Sequence, residues 1–354
     1  MKYILLALSV CISIYAVAQV QREIIPLNER VGIVADQFIY ESAPFPECHA
    51  STIVETPKGL VAAWFGGLRE GHKEVNIYTS VFQKGKWTEP ILAADGFVDA
   101  NTRYACYNPV LFLAPDGELL LFYKIGPRVV DWTGWMKRSK DFGATWSAAE
   151  KLPDGILGPI RNQPLWADGI LVCPSSTERD GWKVHFEFTK DNGRTWTKGP
   201  DLNDGKPISG IQPAILRHDA KTLQALTRSQ NRTINETWSY DNGRTWSPLK
   251  QTEMPNNNSG IDAITLKDGR HLMVYNNVKP PESARDGWGG RSPLNVAISQ
   301  DGKNWTNVIT LENEPKMEFS YPFVIQSNDG LVHITYTWKR QKVKHVIIDP
   351  KKIK

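Results

Sequence analysis

The stretch Ser239-Tyr240-Asp241-Asn242-Gly243-Arg244-Thr245-Trp246 decides the fold, because the chain repeats it. Thr189–Trp196 reads Thr-Lys-Asp-Asn-Gly-Arg-Thr-Trp, and Ser139–Trp146 reads Ser-Lys-Asp-Phe-Gly-Ala-Thr-Trp. Ser299–Trp305 is a shortened copy that keeps Asp301, Gly302 and Trp305, and Ser80–Trp87 a worn one that keeps Ser80, Gly85 and Trp87. Trp146, Trp196 and Trp246 are 50 residues apart, and the outer gaps are 59. A repeat of roughly 40–50 residues is the signature of a propeller or another array. Each copy suits a tight turn: Asp accepts hydrogen bonds from nearby backbone, Gly supplies a positive φ, and Trp buries a large face. These are scaffold residues.

Working outward, six segments read as an apolar strand, a turn and a second apolar strand: 49–66, 108–126, 163–175, 212–228, 262–276 and 321–338. Turns such as Pro115-Asp116-Gly117 and Asn328-Asp329-Gly330 mark them as hairpins. A third strand runs into the repeated turn in five of them (75–81, 134–139, 183–189, 233–239 and 294–299), and a short fourth begins after the Trp, as at 88–93 and 147–152. The expected fold is all-β, a six-bladed β-propeller of four-stranded blades. The last blade lacks a fourth strand, and segment 31–41 is the donor expected to close the ring. No helix is expected. The irregular stretch 279–290 is a candidate flap over one face.

The chain has 354 residues, 41% of them hydrophobic, and a formal net charge of +4. Lys351, Lys352 and Lys354 supply much of that charge, and no basic stripe interleaved with aromatics suggests nucleic acid. Residues 1–18 read as a signal peptide: Lys2, an apolar run over 4–17, and Ala16-Val17-Ala18 before Gln19. The expectation is an exported protein, periplasmic or secreted, with 19–354 as one propeller domain, no membrane span, and a monomer. Export leaves Cys48, Cys106 and Cys173, an odd number. Cys48 and Cys106 occupy equivalent places in successive repeats, so a bridge and free thiols both remain open. None has metal-ligand spacing.

Propeller geometry brings first-strand starts, second-strand ends and third-strand starts to one face, around the axis. Those points carry His49, Asn108, Arg161 with Asn162, Gln212, Asp262 and Tyr321. They also carry Arg69 with Glu70, Lys124, Glu178, Arg228, Asn276 and Lys339 with Arg340, and then His72 with Glu74, His185, Arg291 and His345. Polar groups at these places throughout the repeat point to a ligand pocket. Lys124, Arg161, Arg228 and Arg291 favour an anionic ligand, since a guanidinium offers two parallel donors to a carboxylate. The histidines and tyrosines offer proton transfer. No Ser-His-Asp set, phosphate loop or His-x-x-x-His pair is present.

These residues resemble a known family. The repeats are similar to the Asp-boxes of sialidases, the bacterial neuraminidase repeats, over nearly all of the mature chain. The resemblance implies a sialidase-like propeller acting on acidic sugars. Sialidases hold the sialate carboxylate with three arginines, the first in an Arg-Ile-Pro motif. They use an Asp as acid/base and a Tyr–Glu pair as nucleophile. Here the motif position reads Cys48-His49-Ala50-Ser51, so His49 replaces the first arginine. Arg228 and Arg291 match the second and third, and Tyr321, in Ser-Tyr-Pro, the nucleophile. The acid/base Asp has no counterpart; the loop 66–74 offers Glu70, His72 and Glu74. The departures fall on the chemistry and the scaffold is kept. The pattern looks closest to the branch that performs β-elimination on uronates, the rhamnose–glucuronate lyases and ulvan-oligosaccharide dehydratases.

The expected activity is therefore that of a lyase or dehydratase at the terminal uronate of an oligosaccharide. Arg161, Arg228 or Arg291 would offset the carboxylate charge as the C5 proton leaves. His49 or His72 would take that proton, and Tyr107, Tyr321 or the second histidine would protonate the group leaving C4. Asn108, Lys124, Asn162, His185, Gln212, Asp262 and Asn276 complete the expected binding set. No metal or cofactor is called for; a divalent cation in part of the arginine role has no oxygen-ligand cluster that requires it. The alternatives are an exo-sialidase with an altered arginine site and a non-catalytic carbohydrate-binding propeller.

Overall fold

A computed structural model describes residues 31–353; the signal-peptide segment lies outside the described residues. Six antiparallel sheets follow one another along the chain. Blade 1 is built from Glu47–Thr56, Gly59–Gly67 and Asn76–Gln83, and blade 2 from Ala105–Leu113, Leu119–Gly126, Thr133–Ser139 and Glu150–Lys151. Blade 3 comprises Leu165–Ala167, Ile170–Thr177, Lys183–Thr189 and Thr197–Lys198; blade 4 comprises Gly210–Arg217, Leu223–Ser229, Thr233–Ser239 and Lys250–Pro255. Blade 5 comprises Asp262–Thr265, His271–Tyr275, Leu294–Ser299 and Thr306–Glu312; blade 6 comprises Phe319–Gln326, Val332–Trp338 and Lys342–Ile348. Ile33–Phe38 pairs antiparallel with Lys342–Ile348 and closes the ring, as expected. In blade 1 the outer position is shared: Lys86–Trp87 and Ile91–Ala94 both pair with Asn76–Gln83. The only helical turns among the described residues are three-residue 3-10 segments.

Middle strands are apolar on both faces because each blade packs between two others. Leu119–Gly126 is buried at every position, and Trp64, Phe122, Tyr123, Tyr275 and Tyr336 are fully enclosed. Such burial contributes about 1.5–3 kcal/mol per large side chain. The repeated turn joins blades. In blade 4, Asp241 accepts from the Ser239 hydroxyl (2.9 Å), the Thr245 amide (2.9 Å) and the Thr245 hydroxyl (2.6 Å). Asn242 and Gly243 are both left-handed (φ 60° and 88°). A Cβ on Gly243 would lie 3.2 Å from Val172 of blade 3, so close approach requires glycine here. The tryptophan then bonds back, Trp246 Nε1 to the Gly243 carbonyl at 3.0 Å, and stacks on Phe186 of blade 3 at 3.9 Å. The carboxyls of Asp141 and Asp191 are held near 2, burial opposing but bonds to the following Thr prevailing for Asp191. Cys48, Cys106 and Cys173 are buried free thiols, which settles the open choice against a bridge.

Ring closure carries a pH-sensitive pair. His333 Nδ1 and His345 Nε2 are 3.0 Å apart, and His345 Nδ1 accepts from Trp87 Nε1 at 3.3 Å, with Gln37 of the closing strand at 3.4 Å. Burial pulls His333 down to about 4 and His345 to about 3. Unfolded histidines titrate near ~6.5. The unfolded chain thus binds more protons between about pH 6.5 and 3, and stability falls across that window on acidification. Urea midpoints at both ends are expected to show this loss, and His333→Gln to reduce it. A flat profile would remove the pair from the acid response.

Candidate active site

The axial face is built by a backbone device. Strand pairing slips between His49 and Thr52, Tyr107 and Val110, Ile211 and Ala214, and Ser320 and Phe323. At each slip one residue is left-handed: Ala50 (φ 56°), Asn108 (35°), Gln212 (57°) and Tyr321 (53°). These are β-bulges, which re-aim side chains at the rim of a sheet. A bulky Tyr at positive φ is strained and needs its surroundings to hold it. In three of the four, Pro109, Pro213 and Pro322 follow the left-handed residue. Proline donates no ladder hydrogen bond, so a bulge accommodates it.

The central group is Tyr321. The guanidinium carbons of Arg161, Arg228 and Arg291, from blades 3, 4 and 5, lie 4.9, 5.4 and 5.5 Å from its ring centre. Arg228 donates to the Tyr321 hydroxyl and to the carbonyl and side-chain oxygens of Asn258. Its guanidinium also covers Trp182 at 4.9 Å. Gln212 Oε1 accepts a 3.5 Å contact from Arg228. A Cβ on Gly260 would meet Arg161, Tyr321 and Gln212 within 3.4 Å, which shows how closely these groups converge.

His49 stands beside the tyrosine, with ring centres 4.1 Å apart. Its Nδ1 meets the Thr337 hydroxyl at 2.9 Å and Glu318 at 4.0 Å. Burial, and then the charges of Arg340, Arg291, Arg161 and Arg228, hold this imidazole well below its ordinary value. It is a neutral base at neutral pH. Glu318 accepts from Arg291 (2.7 Å), Arg340 (2.7 Å) and Ser320 (2.8 Å), and Arg340 continues to Glu70 at 2.6 Å. Burial would raise the Glu318 carboxyl, but Arg291 and Arg340 outweigh it and keep it below the usual range.

The remaining expected residues divide. Tyr107 is at the face, 4.8 Å from Trp132, with burial and then the Glu70 charge pushing its phenol up to about 12. His72 is half-exposed in its loop, where Nδ1 accepts from the Glu74 amide at 3.3 Å. His185 is wholly buried against Glu187 at 3.0 Å. Four others are tied into the scaffold. Lys124 is enclosed and donates to the Pro159 and Asn108 carbonyls, and burial lowers its ammonium to about 7. Asn162 donates to Asp262 at 2.6 Å, and Asp262 accepts from the Val324 amide at 2.8 Å, joining blades 3, 5 and 6. Asn276 donates to the Pro293 and Phe319 carbonyls. Asn108 is likewise buried, its carbonyl held by Lys124. Arg161 itself donates to the Ile261 and Pro322 carbonyls, so it is a fixed charge under the tyrosine.

Sequence reasoning did not single out Glu318, although a carboxylate just ahead of a first strand and three residues before Tyr321 was a usable signal. Asn258, Trp182 and Trp288 were also missed. They lie in three loops, one within blade 3, one between blades 4 and 5 and one within blade 5. The stretch 279–290, expected as a flap, is fixed on this face. Gly289 donates to the Asn257 carbonyl at 3.1 Å, and Trp288, 57% exposed, lies over Arg291 at 4.8 Å. No group of three His, Cys, Asp or Glu suited to a metal occurs among the described residues.

Comparison with known proteins matches this arrangement to one family. The model of the BNR repeat-like domain matches residues 58–334. The sialidase of Paraclostridium sordellii is 26% identical over 185 residues, which are 45% of this chain and 44% of that protein. The sialidase of Clostridium perfringens is 24% identical over 207 residues, 47% of this chain and 53% of that protein. The matches thus span about half the length of these relatives. The intramolecular trans-sialidase from Ruminococcus gnavus superposes with a TM-score of 0.70 at 14% identity, covering 91% of this chain and 99% of its own. At that identity the likeness is one of fold.

Proposed function

The chain belongs to the family of the BNR repeat-like domain, and from that premise we propose that it is a carbohydrate-active enzyme cleaving a terminal acidic sugar from a saccharide. One observation carries the reading: guanidiniums from three blades surround a single strained tyrosine. Arg228 and Arg291 hold the sugar carboxylate, since charge-assisted bonds from a preorganised, water-poor site are strong. Arg161 adds fixed positive charge, and Glu318 orients Arg291. In the glycosidase form, the Tyr321 oxygen gives its proton to His49 and attacks the anomeric carbon as the glycosidic bond breaks, an acid from the loop 66–74 protonates the departing oxygen, and water then displaces the sugar from Tyr321, which recovers its proton. The sialidase relatives support this form.

A second form is β-elimination at a uronate, the one expected from the sequence. It is favoured by His49, a buried neutral base 4.1 Å from Tyr321. There His49 takes the C5 proton, the C4–O bond breaks, and Tyr321 returns a proton to the leaving oxygen. Incubation with a sialoside and with a uronate-capped oligosaccharide separates the forms. Release of a saturated acidic sugar supports the glycosidase, and ultraviolet absorbance from an unsaturated uronate supports elimination. Binding without turnover of either would reduce the protein to a carbohydrate-binding propeller.

A further inference from the structure

Four guanidiniums stand around the axial site, and two of them have spent their donors. Arg161 gives its terminal nitrogens to the Ile261 and Pro322 carbonyls, and Arg228 gives its own to Tyr321 and Asn258. They are 1% and 5% exposed, so a ligand carboxylate meets them chiefly as charges. Arg291 gives Nη1 to Glu318 at 2.7 Å, and its Nε and Nη2 make no hydrogen bond among the described residues. Arg340 gives Nε to Glu318 at 2.7 Å and Nη1 to Glu70 at 2.6 Å, and its Nη2 makes none among the described residues. The Arg340 side chain is 24% exposed against 8% for Arg291, which makes it the most open of the four. A guanidinium takes a carboxylate through parallel N–H donors, and only these two keep donors to give.

Arg340 reaches the site from the turn between Val332–Trp338 and Lys342–Ile348 of blade 6. Its carbonyl accepts from the Cys48 amide at 2.7 Å, next to His49 on the first strand of blade 1. After burial, its charge is the largest influence lowering the His49 imidazole, ahead of those of Arg291, Arg161 and Arg228. Arg340 and Arg291 bond the same oxygen of Glu318, so their guanidiniums converge there. The turn is strained: Lys339 and Arg340 are both left-handed (φ 53° and 61°), a region that favours glycine. Strain of this kind persists where surrounding contacts hold it, and it gathers at ligand sites. Glu318 balances one of the two cations. Glu70 supplies the second charge from the loop 66–74, with its side chain 42% exposed. An ion pair open to solvent is weak, and a ligand carboxylate suits the place that Glu70 holds.

We infer that Arg340 is a binding residue for the sugar carboxylate, that it grips this group together with Arg291, and that Glu70 is the resident carboxylate which the ligand displaces. The inference rests on the acidic-sugar reading above. Glu318 is then a positioning residue that sets the two guanidiniums side by side. Glu70 adds selectivity, because only an anion can replace it without leaving the cation unpaired, which weighs against neutral saccharides.

The test is calorimetry with N-acetylneuraminate and with glucuronate, each beside its methyl ester. The wild-type protein is expected to bind one of the acids, and Arg340→Gln to weaken that binding at least about 10-fold, the worth of a hydrogen bond to a charged group. Arg340→Lys keeps the charge without the fork and is expected to restore part of the loss. Glu70→Gln is expected to tighten the acid about 2- to 5-fold, the worth of the exposed ion pair that the ligand no longer breaks. In an Arg340→Gln background the same change at Glu70 is expected to do nothing. The uncharged methyl ester is expected to respond to neither variant. An Arg340 that only ties blade 6 to blade 1 would give no tightening in Glu70→Gln, and this variant decides the matter if Arg340→Gln does not fold. Acid binding within about 2-fold of wild type in Arg340→Gln, no tightening in Glu70→Gln, or equal tightening in both backgrounds would overturn the inference. If neither acid binds the wild type, the acidic-sugar reading falls instead. The variants are then titrated with acetate, where tightening by Glu70→Gln supports the carboxylate seat and absence of wild-type binding overturns it.

Discussion

A Tyr321→Phe protein is expected to keep its fold and lose its catalysis. Phenylalanine retains the ring that Arg161, Arg228 and Arg291 surround and removes only the hydroxyl that accepts from Arg228. Loss of that bond to a charged donor changes stability by about 1.5–3 kcal/mol. In either form of the chemistry the hydroxyl takes part in the step, as nucleophile or as proton donor. A positioned proton-transfer group contributes about 10²–10⁴-fold, so kcat is expected to fall by that factor with KM nearly unchanged. Initial rates on whichever of the sialoside and the uronate-capped oligosaccharide is turned over, with a urea titration of the same sample, make the check. A variant with wild-type kcat would remove Tyr321 from the reaction, whatever the cluster around it.

The largest structural effect is expected at Asp262. Its carboxylate accepts from Asn162 and from the Val324 amide and is the principal acid facing Arg161, which is itself enclosed. Asp262→Ala leaves that guanidinium uncompensated. Breaking a buried pair from one side costs about 3–5 kcal/mol, read from urea unfolding near pH ~7.5, above the titration of this group. Burial, partly offset by Arg161, raises the folded pKa to about 6. The folded state therefore holds its proton more tightly than the unfolded chain, whose Asp titrates near ~3.9. The wild-type contribution of this group is greatest below about pH 4 and declines as pH rises through 6. The gap between wild type and variant is accordingly expected to widen on acidification. A cost under about 1 kcal/mol at neutral pH would show that Arg161 does not depend on Asp262.

How much of this was legible differs between the two faces of the propeller. The repeated turn was legible because its work is local. Asp241, Asn242, Gly243 and Thr245 close on each other within a few residues, and short-range hydrogen bonds and φ demands leave a fixed pattern in the sequence. The six hairpins and the closing strand followed from alternation and turn residues. The bulges were legible in principle, in Asn108-Pro109, Gln212-Pro213 and Tyr321-Pro322, but their meaning depends on knowing that a strand slips there. The axial face was located, and Tyr321, His49, Arg228 and Arg291 came together as expected. Glu318 did not emerge, because its role arises from Arg291 and Arg340, which lie in loops of different blades.

The sequence by itself determined the propeller, the number of blades, the strand that closes it and the face on which the polar side chains gather. Only the tertiary structure decided which polar residues of that face are free to act. Lys124, Asn162, Asp262 and Asn276 have the composition of ligand-binding groups, yet their hydrogen bonds go to carbonyls, amides and side chains that include those of other blades. His185 reads in sequence as one more rim histidine, and in the structure it is wholly buried and paired with Glu187. The physical reason is that a buried polar group must be satisfied wherever it stands. A side chain spent on the scaffold and one held in reserve for a ligand look alike until their partners are placed.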